Sequence, residues 1–270
     1  MQDPSKPIWI KQKPQLEVQA APFSIFVATP VHSDVSIHFA QALLEFQKAC
    51  VKRKVSVQFQ FTKSSLVTQG RNLCVNSFLE TSMTHMLFID SDIDFDAEGI
   101  FKMIEADKEI ISIPYPMKIM QWGKLFEGVK TGSIKDTKTM STRGYMYPMV
   151  LDNDEDIRPV NGVIEVKYSP AGCMLIKRQV YKKMIEKYPN LKIVQKTIYN
   201  DLPEIKPYLY NFWDTWFNEK TNEYMGEDFS FCKRWKDIGG KCYAYINSFI
   251  THVGEFQYCG KFADELIKNE

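Results

Sequence analysis

The chain has 270 residues, of which 44% are hydrophobic and 25% charged, enough for one large α/β domain or two small ones. The formal net charge of +1 contains no basic excess, so the composition does not indicate a nucleic-acid partner. No apolar run approaches the ~20 residues that cross a bilayer, so we expect no membrane span. Residues 1–21 are polar and proline-dotted, lack the apolar centre of a signal peptide, and are predicted to form an N-terminal arm.

The six cysteines contain no C-x-x-C pair, so the sequence does not indicate a zinc site. Several of them lie in apolar runs, as buried free thiols do, which favours a reducing, cytoplasmic setting. One or two disulfides remain compatible with this count.

Short apolar strands alternate with helices over the first 115 residues. We predict strands at residues 23–28, 55–61, 85–89 and 109–113, the first ended by Thr29-Pro30. Helices are predicted at about 35–52, 69–82 and 96–106. The first helix is expected to bury the face formed by Ile37, Ala40, Leu43, Leu44, Cys50 and Val51. This order predicts an α/β fold with a parallel sheet and helices on both faces.

The second half of the chain is less regular. We predict strands at 160–168, 173–176 and 242–246, and helices at 179–187 and 225–238, with His252 in a loop. Residues 115–156 stay unassigned; Lys124, Lys130 and Arg143 lie in this stretch, which is either a lid over a ligand or a solvated excursion. Residues 22–270 are treated as a single domain, in which 22–115 and 116–270 form two halves.

Three aspartates follow the predicted strand at 85–89: Asp90, Asp92 and Asp94. Carboxylates at the end of a buried strand are unfavourable unless they are solvated, paired or bound to a metal ion. Ligands of parallel sheets bind beyond the carboxyl ends of the strands, so the loops after the first and third strands are expected to open into one cleft. Oxygen ligands suit Mg²⁺ or Mn²⁺, which bridge carboxylates and phosphates. The sequence therefore predicts a cation and phosphate site here.

Other interpretations of the acidic cluster require other spacings. An EF-hand loop that starts at Asp90 needs Gly at its sixth place and Glu at its twelfth, where this chain has Phe95 and Phe101. A phosphohydrolase of the aspartyl-phosphate type resembles D-x-D-x-T after its first strand, whereas here the fifth place is Asp94 and the strand is the third. A solvated turn that leads into a helix capped by Asp96 remains the plain alternative.

The segment H-M-L-F-I-D-S-D-I resembles the D-x-D segment of glycosyltransferases with the GT-A fold. Further segments resemble other parts of these enzymes, in the same order: S-S-L-V-T-Q-G-R-N near the donor nucleotide, S-P-A-G-C-M-L-I at the sugar-facing strand, M-G-E-D-F-S-F-C-K-R-W at the acceptor-side helix and F-I-T-H-V-G at a late metal ligand. Compact viral and collagen-modifying sugar transferases are similar. The resemblance implies a GT-A-like α/β domain with a smaller mixed C-terminal subregion, and for a viral member the host cytoplasm.

The same resemblance implies the metal ligands. Asp92 is expected to be the main ligand, Asp90 to touch the ribose or the metal through water, and His252 to complete the site. Imidazole is a softer ligand than carboxylate, so a late histidine suits Mn²⁺ better than Mg²⁺. By itself, His252 is equally a histidine held by an ordinary hydrogen bond.

Donor binding is implied for the loop Thr29, Pro30 and His32, which in this family contacts base and ribose, and for Ser91 between the two acids. Arg71 is expected to pair with phosphate or stack on the base, with a structural ion pair as the alternative. Gly172 lets the backbone approach the donor sugar because it has no Cβ, although it equally fits an ordinary turn.

Catalysis is implied for the first turn of the predicted helix at 225–238. Asp228 is the candidate general base of an inverting transfer, and Glu227 is expected to bind the acceptor. Two acids that stabilise a helix N-terminus are the alternative. Tyr210, Trp213 and Trp216 form either an acceptor wall or part of the core.

The resemblance thus implies sugar transfer from a UDP- or GDP-sugar to a hydroxyl of a glycan or another acceptor. A nucleotidyltransferase shares the metal and nucleotide requirements, but it usually carries a Gly-rich basic loop where this chain has T-P-V-H-S-D. A non-catalytic nucleotide- or sugar-binding module does not need Asp92, His252 and Asp228 together.

Overall fold

The computed structural model describes residues 21–152, 157–196, 203–204 and 206–255. Apart from Ala21, whose amide donates to the carbonyl of Lys54, the predicted N-terminal arm lies outside the described residues. No helix in the described ranges is long and apolar enough to cross a membrane.

Helices and strands alternate from β1 to β3, whereas several later elements follow another of the same kind. The strands are β1 Ser24–Val31, β2 Ser56–Lys63, β3 His85–Ile89, β4 Ile93–Phe95, β5 Ile110–Ser112, β6 Val163–Val166, β7 Cys173–Lys177, β8 Gln195–Lys196, β9 Pro203–Glu204, β10 Trp216–Asn218, β11 Glu223–Met225, β12 Cys242–Tyr245 and β13 Ile250–His252. The helices are α1 Ile37–Lys52, α2 Val67–Glu80, α3 Ala97–Glu105, α4 Trp122–Lys130, α5 Thr137–Arg143, α6 Arg178–Lys187 and α7 Glu227–Asp237, with a 3-10 turn at Pro189–Leu191.

Seven strands form the central sheet, in the order β2-β1-β3-β7-β5-β12-β6. β1 is parallel to β2 and β3, and β12 is parallel to β5, whereas β7 and β6 run antiparallel to their neighbours. The predicted α/β class, with a mostly parallel sheet flanked by helices, is confirmed. One of the antiparallel strands is central: β7, whose residues 173–176 are all buried, lies between β3 and β5.

Two apolar layers cover the two faces of the sheet. Alternate residues of β1 point into different layers, since Phe26 packs with α2, α6 and α7 while Ile25 packs with α1 and α3. The carboxyl ends of β1 and β3 therefore meet at one edge, held between two packed layers.

The buried face of α1 differs from the predicted one. Phe39, Ala42, Phe46 and Cys50 are buried, whereas Ile37, Leu44 and Val51 are 71%, 58% and 71% exposed. The two phenylalanines explain the rotation, because burying these large rings removes more apolar area from water than burying the aliphatic face would. Ser36 caps the helix by accepting a hydrogen bond from the amide of Phe39.

Several predicted boundaries also change. β1 continues through Thr29-Pro30, and Pro30 is tolerated because β3 pairs with β1 only as far as Ala28, which leaves β1 a single neighbour beyond it. His252 lies in β13 rather than in a loop, and β13 pairs with the short strand β4. The unassigned stretch 115–156 contains α4 and α5. Asp96 caps α3 as predicted, accepting from the amide of Glu98.

The cysteines agree with the expectation of buried thiols. Those within the described ranges are free and buried: Cys50, Cys74, Cys173, Cys232 and Cys242. Burial raises the pKa of the Cys50 and Cys74 thiols to about 11, so they are inert at neutral pH. Cys259 lies outside the described residues.

Candidate functional site

The candidate site begins where β1 and β3 end side by side. Thr29 is buried at the end of β1, and His32 beyond it is exposed. β3 runs directly into Asp90, and the carbonyl of Ser91 accepts a hydrogen bond from the amide of Ser36, the cap of α1. The strand β3 and the N-terminal cap of α1 therefore both fix the backbone of the acidic segment.

Arg71 joins the acidic segment to the start of α7. Its NH2 donates to Asp90 Oδ1 at 3.0 Å, and its Nε donates to Glu227 Oε1 at 3.4 Å. The side chain is only 3% exposed, and its guanidinium carbon lies 5.1 Å from the ring centroid of Phe88 and 5.5 Å from that of Trp213. Burial alone lowers the pKa of Arg71, but Asp90 and Glu227 outweigh it and raise the pKa. The structural ion pair considered for this residue is present.

Gly172 brings the backbone close to Asp90. Its carbonyl accepts a hydrogen bond from the Asp90 amide at 3.0 Å. A Cβ at this position would lie 2.5 Å from Tyr115 Cε1 and 3.0 Å from Asp90 Oδ2. Both distances are shorter than ordinary contacts, so a side chain here displaces the Tyr115 ring or the carboxylate. Tyr115 is itself largely buried, which raises the pKa of its hydroxyl.

Asp92 meets His252 across the β4–β13 pair. His252 Nε2 lies 3.3 Å from Asp92 Oδ2, and Lys118 Nζ donates to the same oxygen at 2.6 Å. The amide of Val253 donates to the Asp92 carbonyl at 2.7 Å, which fixes the register. Burial by itself raises the pKa of Asp92, but hydrogen bonds from His252 and Lys118 outweigh this effect and lower the pKa to about 2.

The His252 ring is oriented by a second contact that bears on metal binding. Its Nδ1 lies 3.0 Å from the carbonyl oxygen of Pro116, which can only accept, so Nδ1 carries the proton. Nε2 is then the nitrogen that faces Asp92 Oδ2. The hydrogen bond from His252 to Asp92 requires a second ring proton on Nε2; without that proton two acceptors face each other, and a cation is needed between them. A histidine whose other nitrogen donates to a backbone carbonyl is also the usual arrangement of a metal ligand, so the Asp92–His252 pair fits a cation.

Asp90 is placed differently from the other two predicted ligands. Its carboxylate turns to Arg71, at 3.0 and 3.3 Å from NH2. Within the described ranges, no group of three His, Cys, Asp or Glu side chains is arranged to hold a metal ion. The structure thus brings Asp92 and His252 together and pairs Asp90 with a guanidinium.

Asp228 has the electrostatics of a proton acceptor. Burial, followed by repulsion from Glu227, raises its pKa to about 6, although the amide of Phe229 and the charge of Arg71 oppose the shift. Asp228 Oδ1 accepts from the Phe229 amide at 2.8 Å, which fixes the carboxylate at the N-terminus of α7. A carboxylate with this pKa is ionised at neutral pH and holds a proton more tightly than an exposed one.

The aromatic residues before α7 serve mainly as core. Trp213 is fully buried and stacks on Phe231, with ring centroids 4.0 Å apart. Tyr210 stacks on Phe212 at 5.2 Å. The core alternative is therefore the one observed for Trp213, and its ring supports Arg71 from below the site.

Tyr115 and Lys118 belong to the site, and the sequence did not single them out. Both follow β5, whose carboxyl end lies at the same edge as those of β1 and β3. The rule that predicted Asp90 applies equally to the residues after β5. The signal was missed because the loop shows no motif.

A cavity of about 880 Å³ opens beside the Asp92–His252 pair. Lys118 and His252 line it, whereas Asp90, Asp92 and Asp228 do not. Its other walls are mostly apolar and include Met117, Met120 and Tyr145. The space next to the candidate cation pair is thus large enough for a small-molecule ligand.

Comparisons with known proteins give only distant likenesses. No protein-family profile matches the chain, and no curated protein sequence matches it significantly. Among solved structures, A197 from STIV is 16% identical, with a TM-score of 0.44 over 86% of this chain and 87% of that one. A glycosyltransferase involved in the glycosylation of the major capsid of PBCV-1 is 11% identical, with a TM-score of 0.32 over 62% and 66%. The inositol-1-phosphate CTP transferase from T. maritima is 10% identical, with a TM-score of 0.39 over 87% and 91%. Likenesses of this strength identify no family and assign no activity.

Proposed function

We propose that the chain is a metal-dependent glycosyltransferase that moves a sugar from a nucleoside-diphosphate sugar to a hydroxyl acceptor. One observation supports this proposal above the others. Arg71 connects Asp90, at the end of β3, to Glu227, at the start of α7, while Asp92 faces His252. Carboxylates, the Arg71 guanidinium and an imidazole come from distant parts of the chain. They thus meet at the edge where α/β sheets bind ligands.

The donor lies over the ends of β1 and β3 in this proposal. Thr29, Pro30, His32 and Ser91 border the nucleotide, and Gly172 acts on the donor side by letting Tyr115 and Asp90 pack against its backbone. Asp92 and His252 hold the Mn²⁺ or Mg²⁺, with Asp90 nearby. The bound ion supplies positive charge that stabilises the departing diphosphate.

Asp228 performs the proton transfer. Its carboxylate takes the proton of the acceptor hydroxyl as the hydroxyl oxygen bonds to the anomeric carbon. The bond from that carbon to the diphosphate oxygen breaks at the same time, which inverts the configuration. The raised pKa of about 6 strengthens Asp228 as a base while it stays ionised at neutral pH. Glu227, held by Arg71, borders the acceptor.

A thermal-shift panel of UDP- and GDP-sugars, with Mn²⁺ or with chelator, tests this proposal. A ligand at 100 times its Kd stabilises the folded state by about 2.7 kcal/mol. We expect a shift with one donor that disappears in chelator. No shift with any donor, with or without metal, contradicts the proposal.

Product analysis separates sugar transfer from nucleotidyl transfer. A glycosyltransferase incubated with its donor releases a nucleoside diphosphate by slow hydrolysis. A nucleotidyltransferase instead releases pyrophosphate from a nucleoside triphosphate and a sugar phosphate. Pyrophosphate release by the wild-type chain, without donor hydrolysis, overturns the proposal in favour of that rival.

A further inference from the structure

The α4 helix exposes an apolar stripe. Trp122, Phe126 and Val129 recur at positions i, i+4 and i+7 and are 64%, 68% and 48% exposed. Leu125 on the same helix is 5% exposed. The amide of Gln121, the residue that precedes the helix, donates to the carbonyl of Gly144 at 2.7 Å. One face of α4 is therefore tied to the protein, and aromatic rings stand in solvent on the other.

The surroundings of this stripe are positively charged. Residues 117–149 contain six Lys or Arg and two Asp or Glu, although the net charge of the whole chain is only +1. Lys124 and Lys130 lie on α4 and are exposed. Neither forms an ion pair with an acidic side chain in the part of the chain that the structure describes. With the exposed Glu127, α4 keeps a net charge of +1, which is available to an external anion.

We propose that α4 docks on an anionic membrane surface, with Trp122 and Phe126 inserted at the level of the headgroups. Aromatic residues on one side of a short helix, together with uncompensated lysines, are the chemistry of helices that lie in the membrane interface. A second copy of this chain fits less well, because its α4 carries the same positive charge and would repel the first. An anionic membrane surface would bury the apolar stripe and attract the lysines.

Docking at α4 bears on the candidate site through residues 117–149. This stretch also supplies Lys118, which pairs with Asp92, and Met120 and Tyr145, which line the cavity beside His252. Membrane binding would therefore hold the segment that lines the cavity against the lipid surface. It requires neither the metal pair nor Asp228, so it stands independently of the proposed sugar transfer.

Vesicle co-sedimentation of the full chain tests the docking. The wild-type chain is mixed with phosphatidylcholine vesicles that contain either no anionic lipid or about 30% phosphatidylglycerol. We expect binding to the anionic vesicles only, and weakening when the salt rises from about 50 mM to about 500 mM. The double variant Trp122→Ala/Phe126→Ala should lose binding at least about tenfold. Lys124→Glu/Lys130→Glu should also lose vesicle binding, since each lysine near an anionic surface contributes about fivefold to the binding constant.

The matched control is Phe217→Ala/Tyr224→Ala, which removes two exposed aromatic residues from the β10–β11 pair. Its binding should equal that of the wild type. Equal sedimentation of the wild type with neutral and anionic vesicles overturns the proposal, as does full binding by both α4 variants. Light scattering that shows a wild-type dimer, converted to a monomer by the aromatic double variant, assigns the stripe to self-association and also overturns it.

Discussion

Asp228 is a residue whose proposed role conflicts with folding stability. Burial and Glu227 raise its pKa from 3.8 to about 6, so the folded state disfavours the charged form that a base needs. Above pH 6 this group destabilises the fold, and the penalty is relieved as pH falls from 6 towards 3.8, because the folded chain takes up the proton first.

The variant Asp228→Asn should therefore gain stability while losing transfer. We expect its free energy of unfolding at pH 8 to exceed that of the wild type by about 1–2 kcal/mol, with the gain shrinking towards pH 4. Transfer or donor hydrolysis should fall by about 100-fold or more. Urea unfolding at the two pH values and a donor assay measure both effects. Asp237→Asn, at the exposed far end of α7, is the control; unchanged turnover in Asp228→Asn removes the assigned role.

Arg71 is predicted to be the ion-pairing residue on which stability depends most directly. Arg71→Met leaves Asp90 and Glu227 close together without their cation, and we expect a loss of about 3–5 kcal/mol. Lys48→Met removes an exposed pair with Glu45 and should cost less than about 1 kcal/mol. Chemical denaturation of both variants measures the contrast. Similar losses for the two would show that Arg71 acts through packing or charge count rather than through its buried pairs.

At the scale of elements, α3 supports the strand that carries His252. Gly99 in α3 is buried, and a Cβ there would lie 2.9 Å from Ser248 Cβ and 3.1 Å from Ile113 Cδ1. Ser248 stands just before β13. Close packing of this helix against residue 248 thus positions the strand on which the candidate cation pair depends.

The substitution Gly99→Ala should force α3 and the residues before β13 apart. We expect a loss of about 1–3 kcal/mol, typical of an overpacked core position. Gly123→Ala in α4 has open space around the added methyl group and should instead stabilise by about 0.5–1 kcal/mol. Thermal unfolding of the two variants measures whether each one gains or loses stability. If Gly99→Ala leaves the stability unchanged, the segment before β13 moves away from α3 at no cost in free energy, and the proposed positioning role is contradicted.

At the scale of the whole molecule, stability comes from the two apolar layers on the sheet. Since the five described cysteines are free and buried, reducing agent should leave the melting temperature unchanged. A disulfide would contribute about 2–4 kcal/mol, which corresponds to about 4 °C or more. Differential scanning calorimetry with and without dithiothreitol measures this. A fall of that size would reveal a disulfide and contradict the expectation of free thiols.

Features that depend on neighbouring residues could be predicted from the amino-acid sequence. The strand at 85–89, the acids that follow it and the cap at Asp96 were all predicted from local apolar runs and from residue types with fixed local roles. The order of strands and helices likewise predicted an α/β sheet in which β1 and β3 end at the same edge. These predictions succeeded because hydrophobic period and capping act within a few residues.

Contacts between distant residues could not be predicted in this way, because they form only when the chain packs. The insertion of β7 between β3 and β5, the contact of Arg71 with Glu227 156 positions away and the placement of Lys118 beside Asp92 depend on how the layers pack. The buried face of α1 was decided in the same way, by the space that the sheet offers to Phe39 and Phe46. Local period cannot encode these choices, because the free energy that selects them is gained only when elements far apart in the chain bury their surfaces together.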